Sequence, residues 1–219
     1  MKVVLALGGS IIPVEEPESI MNVGSLLKKC AGNVELYIVT GGGKTARNYI
    51  KAARTFEVGE EFLDEIGIAA TRMNAMLLKP FICPRKDIPE TIDEAAGMTP
   101  PVVMGGTTPG HSTDAVGAML ASAVKADRFV IATDVDGIYD SDPKKNREAR
   151  KFDSISIKEL RSMSSDEWKE AGKSSAIDGI ACRIIDENRI RTYVVNGKDT
   201  ESLENAIYGR EFKGTIIEV

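Results

Sequence analysis

Three glycine-bearing segments carry the residues best suited to chemistry in this chain. They are Gly8-Gly9-Ser10, Gly41-Gly42-Gly43-Lys44, and Gly105-Gly106 running through Thr107, Thr108, Pro109, Gly110, His111, Ser112 and Thr113. Glycine lets a backbone come close to a ligand, and free amides at a helix start favour negative charge, so such turns suit phosphoryl oxygens. One turn alone reads as readily as a tight strand-to-helix connection. Three that end separate strands point to one anion site, because ligands of open α/β sheets bind beyond the carboxyl ends of the strands. Gly43-Lys44-Thr45 resembles the end of a phosphate-binding loop, but the glycine that loop requires five residues before Gly43 is Ile38. Gly41, Gly43 and Ala46 fit the permissive dinucleotide fingerprint. The following acids Glu60, Glu61 and Asp64, however, fall on a helical stretch instead of a strand end.

A fourth segment, Thr133-Asp134-Val135-Asp136-Gly137-Ile138-Tyr139-Asp140-Ser141-Asp142-Pro143, sets four carboxylates and a tyrosine just beyond an apolar run. Such residues meet a ribose, a base or a hydrated magnesium ion, or else form a solvated loop with Asx turns. Ser112 or Thr113 suits a helix cap, and His111 is the single histidine. Phosphoryl transfer needs positioning and charge stabilisation more than proton transfer, so His111 has no required catalytic part.

The elements that must position these residues show in the hydrophobic pattern. Residues 2–7, 34–40, 101–104, 128–133 and 190–195 are short runs rich in β-branched residues that read as buried strands. Between them, residues 60–78 and 114–126 space apolar side chains at three and four, the mark of one buried helical stripe, and residues 175–188 and 200–208 do the same. Strands alternating with helices predict a largely parallel sheet covered on both faces, an α/β protein. Residues 79–101, with five prolines, and 139–150 read as loops. With no repeat or linker, one unit of two lobes is expected.

Composition narrows the function. The 219 residues are 42% hydrophobic, enough for a real core, and 28 basic against 33 acidic residues give a net charge of −5. That sign removes the broad electrostatic attraction on which general nucleic-acid and membrane-surface binders depend, so an anionic ligand needs local cations. Cys30, Cys83 and Cys182 are far apart and odd in number, which gives neither a disulfide framework nor a zinc-ligand spacing. The apolar start gives way to Gly8-Gly9-Ser10 too early for a signal peptide, and no run is long enough to span a bilayer. A cytoplasmic protein is expected.

In this order and spacing the motifs resemble the amino acid kinase superfamily, and within it the short archaeal uridylate (UMP) kinase type. The resemblance spans nearly the whole chain: Gly8-Gly9-Ser10, residues 41–47, 71–78, 104–115, 133–143 and 174–185. It implies a three-layer αβα sandwich with a mainly parallel central sheet, forming one domain over residues 1–219. UMP would bind over the half formed by about residues 1–125 and ATP over about 126–219. It implies that Gly42, Asp64, Thr107, Thr108, Pro109, Gly110, His111, Ser112 and Thr113 hold UMP, Asp64 through the ribose hydroxyls. Gly9, Ser10, Gly43 and Arg47 would meet the ATP phosphates, and Thr133, Asp134, Tyr139 and Asp142 the adenosine end. Asp178 would orient cations at the transferring phosphoryl group. A homohexamer built from dimers is implied, and the helix at 60–78 could pair with its copy.

Two departures from the superfamily pattern bear on charge. Many members carry a lysine two positions before the first glycine pair, where this chain has Ala6, a loss common among the archaeal UMP kinases. The charge developing on the transferred group then falls to magnesium and to nearby cations, for which Lys44, Arg47 and Lys173 are the candidates. The second departure is Asp134, where several relatives have asparagine; a carboxylate there repels phosphate unless it faces sugar or metal. Competing readings are a kinase of the same superfamily acting on glutamate, carbamate, acetylglutamate or isopentenyl phosphate, and a non-catalytic oxyanion storage protein on the same scaffold. A dinucleotide-dependent oxidoreductase is more distant.

Overall fold

Strand β1 (Lys2–Leu7) turns Val3, Leu5 and Leu7 to one side and Val4 and Ala6 to the other, and each set lies in a separate buried cluster. That period of two, with both faces apolar, is what a central strand covered by helices on each side requires. The computed structural model describes residues 1–163 and 177–219. Around β1 the sheet adds β2 (Glu35–Thr40), β3 (Val102–Met104), β4 (Arg128–Thr133), β5 (Ser154–Ser156), β6 (Thr192–Asn196) and β7 (Gly214–Glu218), in the order β3-β2-β1-β4-β6-β7-β5. All neighbours pair parallel except β6 and β7.

One face is covered by α4 (Ile92–Gly97), α5 (Thr113–Val124), α6 (Ile157–Met163) and α7 (Gly179–Glu187), which contribute Ala95, Val116, Leu160 and Cys182 among others to the first cluster. The other is covered by α1 (Pro17–Ala31), the second half of α3 (Glu60–Ile82) and α8 (Thr200–Tyr208), through Leu27, Leu78 and Leu203. The result is the αβα sandwich expected from the resemblance. The first half of α3 leaves the sheet and packs on α2 (Gly43–Arg54), where Ala46, Ile50, Ala53, Leu63 and Ala70 form a small third cluster.

Several elements depart from the sequence expectation. The predicted loop at 79–101 is partly helical: α3 runs on to Ile82 with Pro80 in its last turn, and α4 follows, capped by the Thr91 side chain. A proline there removes one backbone bond and crowds the preceding turn, but only two helical residues follow it, so little of the helix is left to disturb. Helix α1 was not predicted, although Pro17 in its first turn and the buried series Ile20, Val23, Leu27 and Cys30 are ordinary helix signals. Strands β5 and β7 are short, and exposed residues such as Ile216 interrupt their apolar pattern. Of the helix predicted at 175–188, the described part is α7; Lys173 lies outside the described residues.

Candidate active site

The loops after β1 and β2 meet backbone to backbone. Gly8 N–H donates to the Ala132 carbonyl at 2.9 Å and Gly41 N–H to the Leu7 carbonyl at 2.8 Å, which carries the sheet register into the turns. Beyond these bonds Gly9 lies so close to Gly43 that a Cβ on either would fall within the backbone of the other, and Gly43 has φ +60°. No other residue type satisfies both demands.

The third turn is fastened to α3. Thr71 Oγ1 accepts from Gly106 N–H at 2.6 Å, Arg72 donates to the Gly106 and Thr107 carbonyls at 3.3 and 3.4 Å, and Asp64 Oδ2 accepts from Gly110 N–H at 2.7 Å. Buried Asn74 donates to the Gly41 carbonyl at 2.7 Å, so the same helix also fixes the second turn. Thr108 Oγ1 and His111 Nδ1 lie 3.1 Å apart, a bond within the loop. Ser112 caps α5, accepting from Ala115 N–H at 3.0 Å, and its hydroxyl donates to Asp178. Asp178 in turn caps α7, accepting from Ala181 N–H at 3.0 Å. One carboxylate thus ties together the starts of two helices.

Two adjoining cavities open over these turns. The smaller, 170 Å³, lies on the β2–β3 side between α2, α3 and the third turn, with Asp64, Gly67, Ile68, Thr108 and His111 in its wall. The larger, 380 Å³, lies over β1 and β4, with Gly9, Ser10, Thr133, Asp134, Lys144 and Asp178 in its wall. They share Gly42, Gly43, Arg47, Ser112 and Thr113. The first turns of α2 and α5 therefore stand at the junction, where their free amides favour an anion.

Of the residues named from sequence, Thr107, Pro109 and Gly110 back the third turn without lining either cavity, and Tyr139 and Asp142 lie beyond the larger one. Lys44 stands outside the junction in a side groove, paired with Glu15 at 2.9 Å. The sequence alone does not single out Thr71 or Lys144 and reads Arg72 and Asn74 as helix-packing or subunit-contact residues; instead, the polar side chains of Thr71, Arg72 and Asn74 along one helix hold loop backbone. Asp114, on the first turn of α5, is not singled out either. Burial and then the Asp178 carboxylate push its carboxyl up to about 7. A polar residue just after a helix cap was the available signal.

Residues 1–196 match the sequence model of the amino acid kinase family. The chain belongs to that family. Among its amino acid kinase relatives, the uridylate kinase of Thermococcus gammatolerans is 42% identical over the full length of both chains. That of Archaeoglobus fulgidus is 44% identical, covering 99% of this chain and 100% of the relative. A crystal structure of uridylate kinase from Archaeoglobus fulgidus superposes with a TM-score of 0.85 over 99% of this chain and 100% of that one, at 42% identity. The UMP kinase of Bacillus anthracis shares the amino acid kinase fold at a TM-score of 0.76, covering 99% and 95% of the two chains, with 19% identity.

Proposed function

We propose that this chain is a UMP kinase that transfers the γ-phosphoryl of ATP to UMP, giving UDP and ADP, in pyrimidine nucleotide (CTP) synthesis. The observation that carries the reading is the pair of joined cavities sharing Gly42, Gly43, Arg47, Ser112 and Thr113: a donor and an acceptor phosphate can be brought end to end there. The relatives' names and full-length similarity support the substrates. UMP is assigned to the smaller cavity and to residues 1–125, ATP to the larger cavity and to residues 126–219 together with the glycine turns. The sheet order supports this division, because β1 and β4 start its two wings and ligands favour such a switch point.

The chemistry needs no covalent intermediate and no strong base, since the UMP phosphate is already ionised. Backbone amides at Gly9, Ser10 and Gly43 hold phosphoryl oxygens, and Arg47, at the junction, meets the transferred group with a forked donor. Asp64 has one oxygen on Gly110, which leaves the other for a ribose hydroxyl. Asp178 spends its oxygens on two helix caps, so it orients the start of α5. Magnesium fits this site: Asp114 borders the larger cavity with a carboxyl that, among the described residues, no hydrogen bond stabilises as an anion, and a hard cation takes one or two carboxylates plus substrate phosphate. When bound with ATP it would supply charge neutralisation.

The reading extends to a homohexamer and to the cytoplasm. Met73, Met76 and Leu77 lie exposed at three-and-four spacing on α3, which suits pairing with a second copy, and three buried free thiols suit a reducing compartment. The test is a coupled assay with ATP and magnesium across UMP, CMP, dUMP, glutamate, carbamate, acetylglutamate and isopentenyl phosphate. UMP is expected to give the highest kcat/KM; turnover of an acidic metabolite instead, or none of any, overturns the reading.

A further inference from the structure

The lysine that many amino acid kinases carry at position 6 has no replacement within β1. Ala6 is buried, and a Cβ added at Gly117 of α5 would lie 3.2 Å from its own Cβ, so this position faces packed core. The larger cavity must therefore draw its positive charge from elsewhere. Among the described residues its wall holds two cationic side chains, Arg47, which also borders the smaller cavity, and Lys144, which does not.

Lys144 is set in place by a loop with its own bonding. Asp142 accepts from Lys144 N–H through Oδ1 at 2.9 Å, and its carbonyl accepts from Lys145 and Asn146 at 3.0 and 2.8 Å. Asp140 and Arg150 close the base of the loop through N–H to carbonyl and N–H to carboxylate bonds at 3.1 and 3.0 Å. The ammonium then reaches back to Asp134 Oδ2 at 2.5 Å. An ammonium has three donors, and Asp134 takes one. The lysine side chain is 59% exposed, so the others face solvent in the cavity and remain available to an incoming anion.

Resting on the UMP kinase reading, we infer that Lys144 is a polyphosphate contact of the ATP cavity and that Asp134 is the positioning residue that holds it there. The pairing also removes the difficulty posed by a carboxylate at position 134, because its charge is met by Lys144 before the nucleotide arrives. A solvent-exposed ion pair alone is worth little, whereas an ammonium shared between a carboxylate and a multiply charged phosphate chain gains from both.

Calorimetric binding of ATP and of adenosine, without UMP, tests this apart from catalysis. Lys144→Ala is expected to raise the Kd for ATP tenfold or more and to leave adenosine within twofold. Lys144→Arg should recover most of the loss. Asp134→Asn should weaken ATP less than Lys144→Ala, and the double variant should be no weaker than Lys144→Ala alone, because the carboxylate acts through the lysine. The inference is overturned if Lys144→Ala binds ATP within twofold of the parent, if ATP and adenosine weaken alike, or if the two substitutions multiply. A chain that binds ATP but does not phosphorylate UMP would defeat the UMP kinase reading and leave this measurement intact.

Discussion

Arg47 borders both cavities, and no other cationic side chain among the described residues does. Replacing it with alanine removes charge-assisted contacts worth about 1.5 to 3 kcal/mol, or roughly ten- to a hundredfold in kcat/KM. Steady-state kinetics of Arg47→Ala with each substrate varied in turn would measure that loss, and unchanged values would remove Arg47 from the transfer site. Asp114 gives a second prediction, in the metal-free protein. Its carboxyl stands near 7 when folded, against 3.8 as the ordinary value. Between those limits the folded protein holds a proton that the unfolded chain has released. Stability is therefore greatest below the lower value and falls as pH rises through the upper one. Asp114→Asn stays neutral throughout, so its melting temperature should gain on the parent's between pH 4 and pH 7 and then run level with the parent's curve. A gap that is constant with pH would contradict this.

At the scale of elements, the site depends on loops that cannot move independently. Gly9→Ala would push a methyl into the Gly43 backbone and separate the turns after β1 and β2. Loss of at least tenfold in kcat/KM for both substrates is expected, with a lowered melting temperature; near-parental activity would show the contact to be dispensable. Much of this was legible in sequence. The five principal strands, the two long helical stripes and the glycine turns follow from period and residue type, and strand ends of a parallel sheet must share one rim. What the sequence concealed was contact between distant side chains and backbone. Arg72 and Asn74 read as helix-packing or subunit-contact residues, yet each holds a loop carbonyl some thirty residues away, Arg72 in the third turn and Asn74 in the second. Lys144, within a charged polar stretch, gave no sign that its loop reaches the wall of the larger cavity. The stretch at 79–101 misled because prolines were read as breakers where one of them merely occupies a helix end.

For the whole molecule, the two-sided sheet fixes the halves while the second half of α3 leaves Met73, Met76 and Leu77 exposed. Met76→Glu combined with Leu77→Glu should leave the sandwich intact, since both side chains are exposed, and should reduce the mass found by light scattering toward that of a smaller assembly. An unchanged mass would remove this face from the proposed homohexamer's contacts. The far edge of the sheet carries a different consequence. Strand β5 has β7 as its sheet neighbour, about sixty residues later in the chain, and β7 itself runs against β6. A ribosome delivers β1, β2 and β3 early enough for them to zip together while synthesis continues. Strand β5 stays without a sheet partner until β7 emerges, so the wing of β4, β6, β7 and β5 completes its pairing last.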